Sequence, residues 1–234
     1  MSKRFFLLIL ACLMLLFFTL FSRAIKRGGM RELDFATTVK MQERIDNSSR
    51  LRLSRLTGEV MEGATFFASP MASTIAVLLL TLITLTKRKK WRIVALMIPL
   101  LFGLMTLAEV YGKSVVHHPA PPFFLLKNPT TVFPKYYIWE DYSYPSGHAA
   151  RAIYLGIILY SYFILHTSYF KQRGIKAKMI SIGILSYISL MSVSRIYLGH
   201  HWLSDVIGGL ALGAGSGVIC QYILCIFGKK IFCL

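Results

Sequence analysis

The groups able to do chemistry are concentrated in two short stretches. One is Ser194-Arg195-Ile196-Tyr197-Leu198-Gly199-His200-His201-Trp202-Leu203-Ser204-Asp205 and the other is Tyr144-Pro145-Ser146-Gly147-His148. Arginine, histidine and aspartate at the border of an apolar span are costly unless they face a cavity or one another, so they mark a functional site. Their types point to phosphoryl chemistry. Tetrahedral phosphate calls for fixed cations and aimed N–H donors. Arg195 and Lys113 supply cations, while Ser146 and Gly147 precede a helix expected to begin near His148. The N–H groups and positive dipole end of such a helix favour an anion. Two imidazoles can then divide the covalent work, one attacking phosphorus and one protonating the leaving oxygen. His201 is the candidate nucleophile because Asp205 follows at i+4. That spacing puts the carboxylate on the same face of a helical turn, where it can fix the tautomer and stabilise the imidazolium. His148 is left as the acid.

The elements that must position these groups are membrane helices. The 234 residues are 55% hydrophobic with a mean hydropathy of +0.57, more apolar than a soluble domain requires. A hydrocarbon core about 30 Å thick needs roughly 20 apolar residues in a helix. Six stretches approach that length: Phe5 to Phe21, Ala64 to Thr86, Ile93 to Tyr111, Ala149 to His166, Met179 to Val193 and Val206 to Phe227. The expected fold is therefore all-α, a bundle of six transmembrane helices. The first is expected to be retained rather than cleaved, because Phe21-Ser22-Arg23-Ala24 is a poor small-residue cleavage site. On these spans Lys113 falls just after the third, His148 at the start of the fourth, Arg195 at the end of the fifth and Asp205 at the start of the sixth. All four are expected on one side of the membrane.

Basic clusters at Ser2-Lys3-Arg4, Lys87 to Lys90, Lys171 to Lys178 and Lys229-Lys230 mark alternate ends of this path and are expected to be cytoplasmic, which puts the site on the outer face. The same rule, with contacts to anionic headgroups, accounts for the net charge of +17. Long apolar runs argue against nucleic acid as a partner. Between Arg23 and Glu62, Leu33, Val39, Met41, Ile45 and Leu51 alternate irregularly with charge. That pattern fits amphipathic helices along the interface, or a solvated helical loop. Residues 1–62 are accordingly read as a first helix plus an interfacial segment, and residues 63–234 as a five-helix catalytic core. Pro119, Pro121, Pro122, Pro129 and Pro134 prevent one long helix between Lys113 and Pro145, where an ordered cap is expected.

Other polar or unusual residues have plainer readings. Gly208, Gly209, Gly213, Gly215 and Gly217 suit close helix packing. Trp91, Trp139 and Trp202 are expected to anchor at the interface, and His117 and His200 to be structural. Cys12, Cys220, Cys225 and Cys233 lack CxxC spacing and are read as core or lipid-facing residues. His200, His201 and Asp205 could offer metal ligands, but Lys113 and Arg195 would crowd a cation, so no metal or other cofactor is expected.

The two motifs resemble those of the type 2 phosphatidic acid phosphatase (PAP2) superfamily, which includes lipid phosphatases, glucose-6-phosphatase-like enzymes and vanadium haloperoxidases. SRxxxxxHxxxD is met at Ser194, Arg195, His201 and Asp205, and PSGH at Pro145 to His148. The resemblance covers mainly Lys113 to Gly213. It implies a PAP2/haloperoxidase-like helical core in which His201 attacks phosphorus, His148 protonates the leaving group and Asp205 supports His201. It also implies phosphate binding by Lys113, Ser146, Gly147 and Arg195, without metal. The first family motif, KxxxxxxRP, is met only in part, since Ala120 stands where its arginine is expected. A charge-assisted contact to phosphate contributes roughly 1.5 to 3 kcal/mol. Two replacements are at hand: Arg151, one helical turn after His148, and His118 in the proline-rich turn. Arg151 is preferred because it is charged at every working pH.

The resemblance thus implies an integral membrane phosphatase acting on a lipid phosphomonoester or diphosphate. Undecaprenyl diphosphate, phosphatidylglycerophosphate, phosphatidic acid and a phosphorylated lipid A are all substrates of the right kind. The expected setting is a bacterial cytoplasmic membrane with the site on the periplasmic face. Two alternatives share the same residues. One is a phosphotransferase whose phosphohistidine is resolved by a lipid or sugar hydroxyl, and the other is a non-catalytic phospholipid-binding member, motivated by Ala120.

Overall fold

The computed structural model describes residues 3–46, 51–87, 92–127, 141–166 and 173–227. Among them all regular structure is helical, apart from an isolated antiparallel bridge between Pro119 and Tyr142. Arg88 to Lys90, Lys171, Lys229-Lys230, Trp91, Trp139, Pro129 and Pro134 lie outside the described residues.

The axis of the bundle is the last helix in sequence, α9 (Leu203–Phe227), against which α1 (Lys3–Lys26), α6 (Met97–Val116) and α7 (Gly147–His166) pack. Its small residues make that possible. A Cβ at Gly209 would lie 2.2 Å from Ser146 O, and one at Gly213 would lie 2.2 Å from Ala150 O, so α7 rests directly on the α9 backbone. On another side, a Cβ at Gly215 would meet Leu15 of α1 at 2.6 Å. The glycines therefore serve helix packing, as small residues do in membranes. α1 buries Leu7 and Ala11 against Val218, while Phe5, Phe6, Leu13, Leu16, Phe17 and Leu20 are exposed. An apolar outer face of that extent suits lipid rather than water.

Among the described residues four helices are long and apolar enough to cross a membrane: α1, α6, α8 (Arg173–Tyr197) and α9. A fifth crossing arises if α3 (Leu51–Phe66) and α4 (Pro70–Lys87) are one broken span, since Leu56–Phe66 and Pro70–Thr86 meet at 47°. The expected straight span from Ala64 to Thr86 is thus preceded by further helix and bent between the two parts. Ser69 and Pro70 explain the break. Ser69 Oγ accepts the Ala72 N–H at 3.3 Å as an N-cap, and proline is pre-organised for the first helical position. The short α5 (Arg92–Ala95) leads into α6, which continues past the expected end at Tyr111 to Val116.

The segment between the first two spans departs most from expectation. α2 (Arg31–Asp46) buries a polar stripe, Asp34, Thr38 and Gln42, and exposes Leu33 and Phe35. Beside that stripe Met41 and Ile45 pack on Met61, Tyr197 and Leu198, so the inward side of the helix is part polar and part apolar. Its stripe docks on the ends of α8 and α9: Gln42 Nε2 donates to Tyr197 O at 2.8 Å and to Leu125 O at 2.7 Å. Buried backbone carbonyls need such donors, which is why the stripe is polar.

Candidate active site

The site lies at the end of the bundle where α6 and α8 finish and α7 and α9 begin. Lys113 occupies the last turn of α6, and Arg195 the last turn of α8. Ser146 precedes α7, whose first turn carries Gly147 and His148; His201 lies in the turn before α9, and Asp205 in the first turn of α9. His201, Arg195, Asp205 and Ser146 are buried. The electrostatic neighbours of His148 include Arg195, His201, His200 and Arg151, and those of His201 include Arg195, Asp205 and Lys113. The expected convergence of Lys113, His148, Arg195, His201 and Asp205 is present.

Local structure holds each piece. The α8–α9 turn passes through Gly199 at φ +69°, where a Cβ would lie 2.2 Å from Leu125 O, so both conformation and space call for glycine. Tyr144, fully buried ahead of the PSGH stretch, shares a 2.9 Å hydrogen bond with Ser22 and stacks near Phe18. α1 thereby helps to set the start of α7. The Ser146 N–H donates to Asp205 O at 2.9 Å, joining the starts of α7 and α9. The Ser146 Oγ has no hydrogen-bond partner among the described residues although it is buried. A buried hydroxyl of this kind is available to a ligand oxygen.

Asp205 has more partners than the sequence suggested. Its Oδ2 lies 3.5 Å from His201 Nδ1 and accepts the Trp202 N–H at 2.8 Å. The latter bond is half of a capping box, in which the third residue of a helix accepts the N–H of its N-cap. Its Oδ1 lies 2.9 Å from His118 Nδ1. The carboxylate is therefore shared between two histidines. Burial pushes His201 below its ordinary pKa; the nearby Asp205 carboxylate opposes this, while Arg195 and Lys113 add to it. Burial, with Arg195 and His201, drives His200 down to about 2. Both imidazoles are neutral at ordinary pH, which leaves a lone pair on His201 for attack.

Both residues expected to stand in for the missing arginine are engaged with carboxylates. Arg151 donates to Glu109 Oε2 at 2.7 Å and to Ala68 O at 3.0 Å. A buried guanidinium needs an anion, and Glu109 on α6 provides one. His118 faces Asp205, and its Nε2 lies 3.8 Å from Asp34 Oδ2. Asp34 in turn accepts the Ser204 N–H at 2.8 Å and the Ser204 hydroxyl at 2.7 Å. Burial raises the Asp34 pKa, and its bonds to Ser204 oppose the rise.

Asp34 and Glu109 were missed from sequence, and each had a signal. Glu109 is a lone carboxylate deep in an apolar span, which by itself calls for a partner. Asp34, Thr38 and Gln42 recur at i, i+4 and i+8, one face of a helix. Glu109 also explains a motif glycine, since a Cβ on Gly147 would lie 1.8 Å from its Oε1. Trp202 is a correction of another kind. It is buried, and its indole donates to Pro119 O at 2.8 Å, so it fastens the proline-rich segment rather than anchoring at an interface. His117 ends α6 in a left-handed C-cap and packs on Tyr142 with ring centroids 4.7 Å apart. Among the described residues no three His, Cys, Asp or Glu side chains group as a metal site.

Comparison with known proteins bears on the family and the fold. Phosphatidylglycerophosphatase B of Bacillus subtilis (strain 168) is 26% identical over 198 residues, covering 85% of this chain and 86% of that protein. The crystal structure described as the first transmembrane PAP2 type phosphatidylglycerolphosphate phosphatase from Bacillus subtilis superposes with a TM-score of 0.66 at 23% identity. It covers 90% of this chain and 94% of its own. The model of the PAP2 superfamily matches residues 100–225, more than half of the chain and a stretch that holds Lys113, His148, Arg195, His201 and Asp205, so this protein is an integral membrane member of the PAP2 superfamily.

Proposed function

We propose that this protein hydrolyses a phosphate monoester or diphosphate of a lipid, with phosphatidylglycerophosphate the leading candidate because the similar Bacillus protein is named for that substrate. The observation that carries the reading is the convergence of buried His201, Asp205 and Arg195 with half-buried His148 and Lys113 beside the start of α7. Lys113, Arg195, the Ser146 hydroxyl and the first N–H groups of α7, beginning at Gly147, bind the phosphate oxygens. His201 Nε2 attacks phosphorus, the bond to the leaving oxygen breaks, and His148 donates the proton that makes it an alcohol or phosphate. Water then attacks the phosphohistidine and gives its proton to His148, which restores both histidines. Asp205 balances the charge that His201 gains. The step needs no metal. The pairing of Arg151 with Glu109 and of His118 with Asp205 favours holding roles for those two residues over phosphate binding.

The chain crosses the membrane six times in this reading, with α3–α4 as one broken span and α7 as another. The site faces outward in a bacterial cytoplasmic membrane, and a lipid chain lies between helices while its headgroup meets the cations. Purified protein in detergent is expected to release inorganic phosphate from phosphatidylglycerophosphate in the presence of EDTA, with vanadate as an inhibitor. His201→Ala should abolish release, and undiminished release by that variant would sink the reading. Transfer of the phosphate to an added alcohol in place of release would identify a phosphotransferase.

A further inference from the structure

We infer that His118 and Asp34 are positioning residues for the nucleophile, so that α2, outside the spans, forms part of the working site. The inference rests on the reading of His201 as nucleophile. His118 makes the shorter of the two histidine contacts to Asp205, 2.9 Å against 3.5 Å from His201. The orientation of the carboxylate is therefore set at least as much by His118 as by the residue it serves. A carboxylate only accepts hydrogen bonds, so His118 Nδ1 must carry a proton, and its other nitrogen faces Asp34 at 3.8 Å. Asp34 is itself fixed by the Ser204 N–H and hydroxyl, on the residue next to Asp205. The result is a closed ring of buried groups, Asp34, Ser204, Asp205 and His118, with His201 attached at one corner.

Three anchors keep His118 in that ring. The Ser143 N–H donates to His118 O at 3.0 Å, the Trp202 indole donates to Pro119 O at 2.8 Å, and the Ala120 N–H donates to Asp141 O at 3.2 Å. None of these involves phosphate. Ordered partners of this kind fix the tautomer and direction of a catalytic imidazole, whose attack tolerates little misalignment. The charged and titratable groups facing His201 are Asp205 on α9, Arg195 on α8, Lys113 on α6, His148 on α7 and His200 in its own turn; Asp34 on α2 and His118 act on it through Asp205.

The test uses the full-length protein in detergent as His118→Ala, His118→Asn and Asp34→Asn. Two measurements are made: steady-state phosphate release from phosphatidylglycerophosphate, and the pH dependence of His201 modification by diethyl pyrocarbonate, resolved by peptide mass spectrometry. His118→Ala should lower kcat about ten- to a hundredfold, as loss of an outer partner does elsewhere, with KM within about twofold. Its His201 modification midpoint should rise, because Asp205 then gives its charge to His201 alone. His118→Asn, whose amide can replace the Nδ1–H donor, should recover most of the rate, and Asp34→Asn should lower kcat in the same direction. The inference is overturned if folded variants keep the wild-type kcat and midpoint, if KM rises while kcat holds, or if activity falls only with the folded fraction at an unchanged midpoint. Should the wild-type protein release no phosphate from any lipid, the hydrolase reading fails, and the modification midpoint still decides whether His118 governs His201.

Discussion

Glu109 and Arg151, on facing helices α6 and α7, form an ion pair 2.7 Å long inside the bundle, with side chains 9% and 5% exposed. The pair sits directly beneath the turn at Ser146 and Gly147, because the Glu109 carboxylate fills the space that a side chain at position 147 would occupy. It joins α6 to the first turn of α7 and thereby sets how Lys113 stands relative to His148.

Breaking one half of this pair should be worse than removing both. Arg151→Met leaves a carboxylate buried without its guanidinium and is expected to destabilise the protein on the order of 3 to 5 kcal/mol. The double variant Arg151→Met/Glu109→Leu should recover a large part of that loss. Thermal unfolding in detergent, arranged as a double-mutant cycle, checks this. Additive losses would mean that the two side chains do not couple. A rise in KM confined to folded Arg151→Met would instead return Arg151 to the phosphate.

The acid limb of activity should lie below the ordinary histidine value of about 6.5. Burial depresses His201, with help from Arg195 and Lys113. A depressed histidine holds its neutral form to lower pH, so attack persists as pH falls through about 6.5. The sign for stability follows from the same shift. The unfolded chain binds the proton more tightly, so this contribution is present above about 6.5 and is lost as pH falls through the folded value. A profile of kcat/KM against pH, paired with melting temperatures at each pH, measures both. A limb at or above about 6.5 would contradict the burial argument.

Helix contact at the α7–α9 seam should tolerate no side chain. Gly213→Val places carbon against a carbonyl of α7 that cannot retreat, where a Cβ alone would lie 2.2 Å away. Overpacking of this kind costs about 1 to 3 kcal/mol or more. Activity should fall further than stability, because the seam holds His148 of α7 against His201. Gly103→Ala, where nothing lies within 4 Å, is the control and should change stability by no more than about 0.5 kcal/mol. Equal behaviour of the two variants in melting and phosphate release would show that the seam is compliant.

The membrane character, the helical class and the family motifs at residues 145–148 and 194–205 were all legible in the sequence. Each rests on a local property: the length of an apolar run, the i,i+4 spacing of His201 and Asp205, a glycine before a helix start. Even the convergence of the motifs followed, because consecutive spans alternate direction and their ends must share a side. What folding alone decided is which buried polar groups meet. Burial of a charge demands a partner without saying which one. Arg151 finds Glu109 at a separation of 42 residues, and Asp34 finds Ser204 at 170. The polar stripe of α2 faces inward for the same reason, since the ends of α8 and α9 present N–H and carbonyl groups that an apolar face could not satisfy. Those encounters depend on how the helix ends come together in space, which no local spacing records.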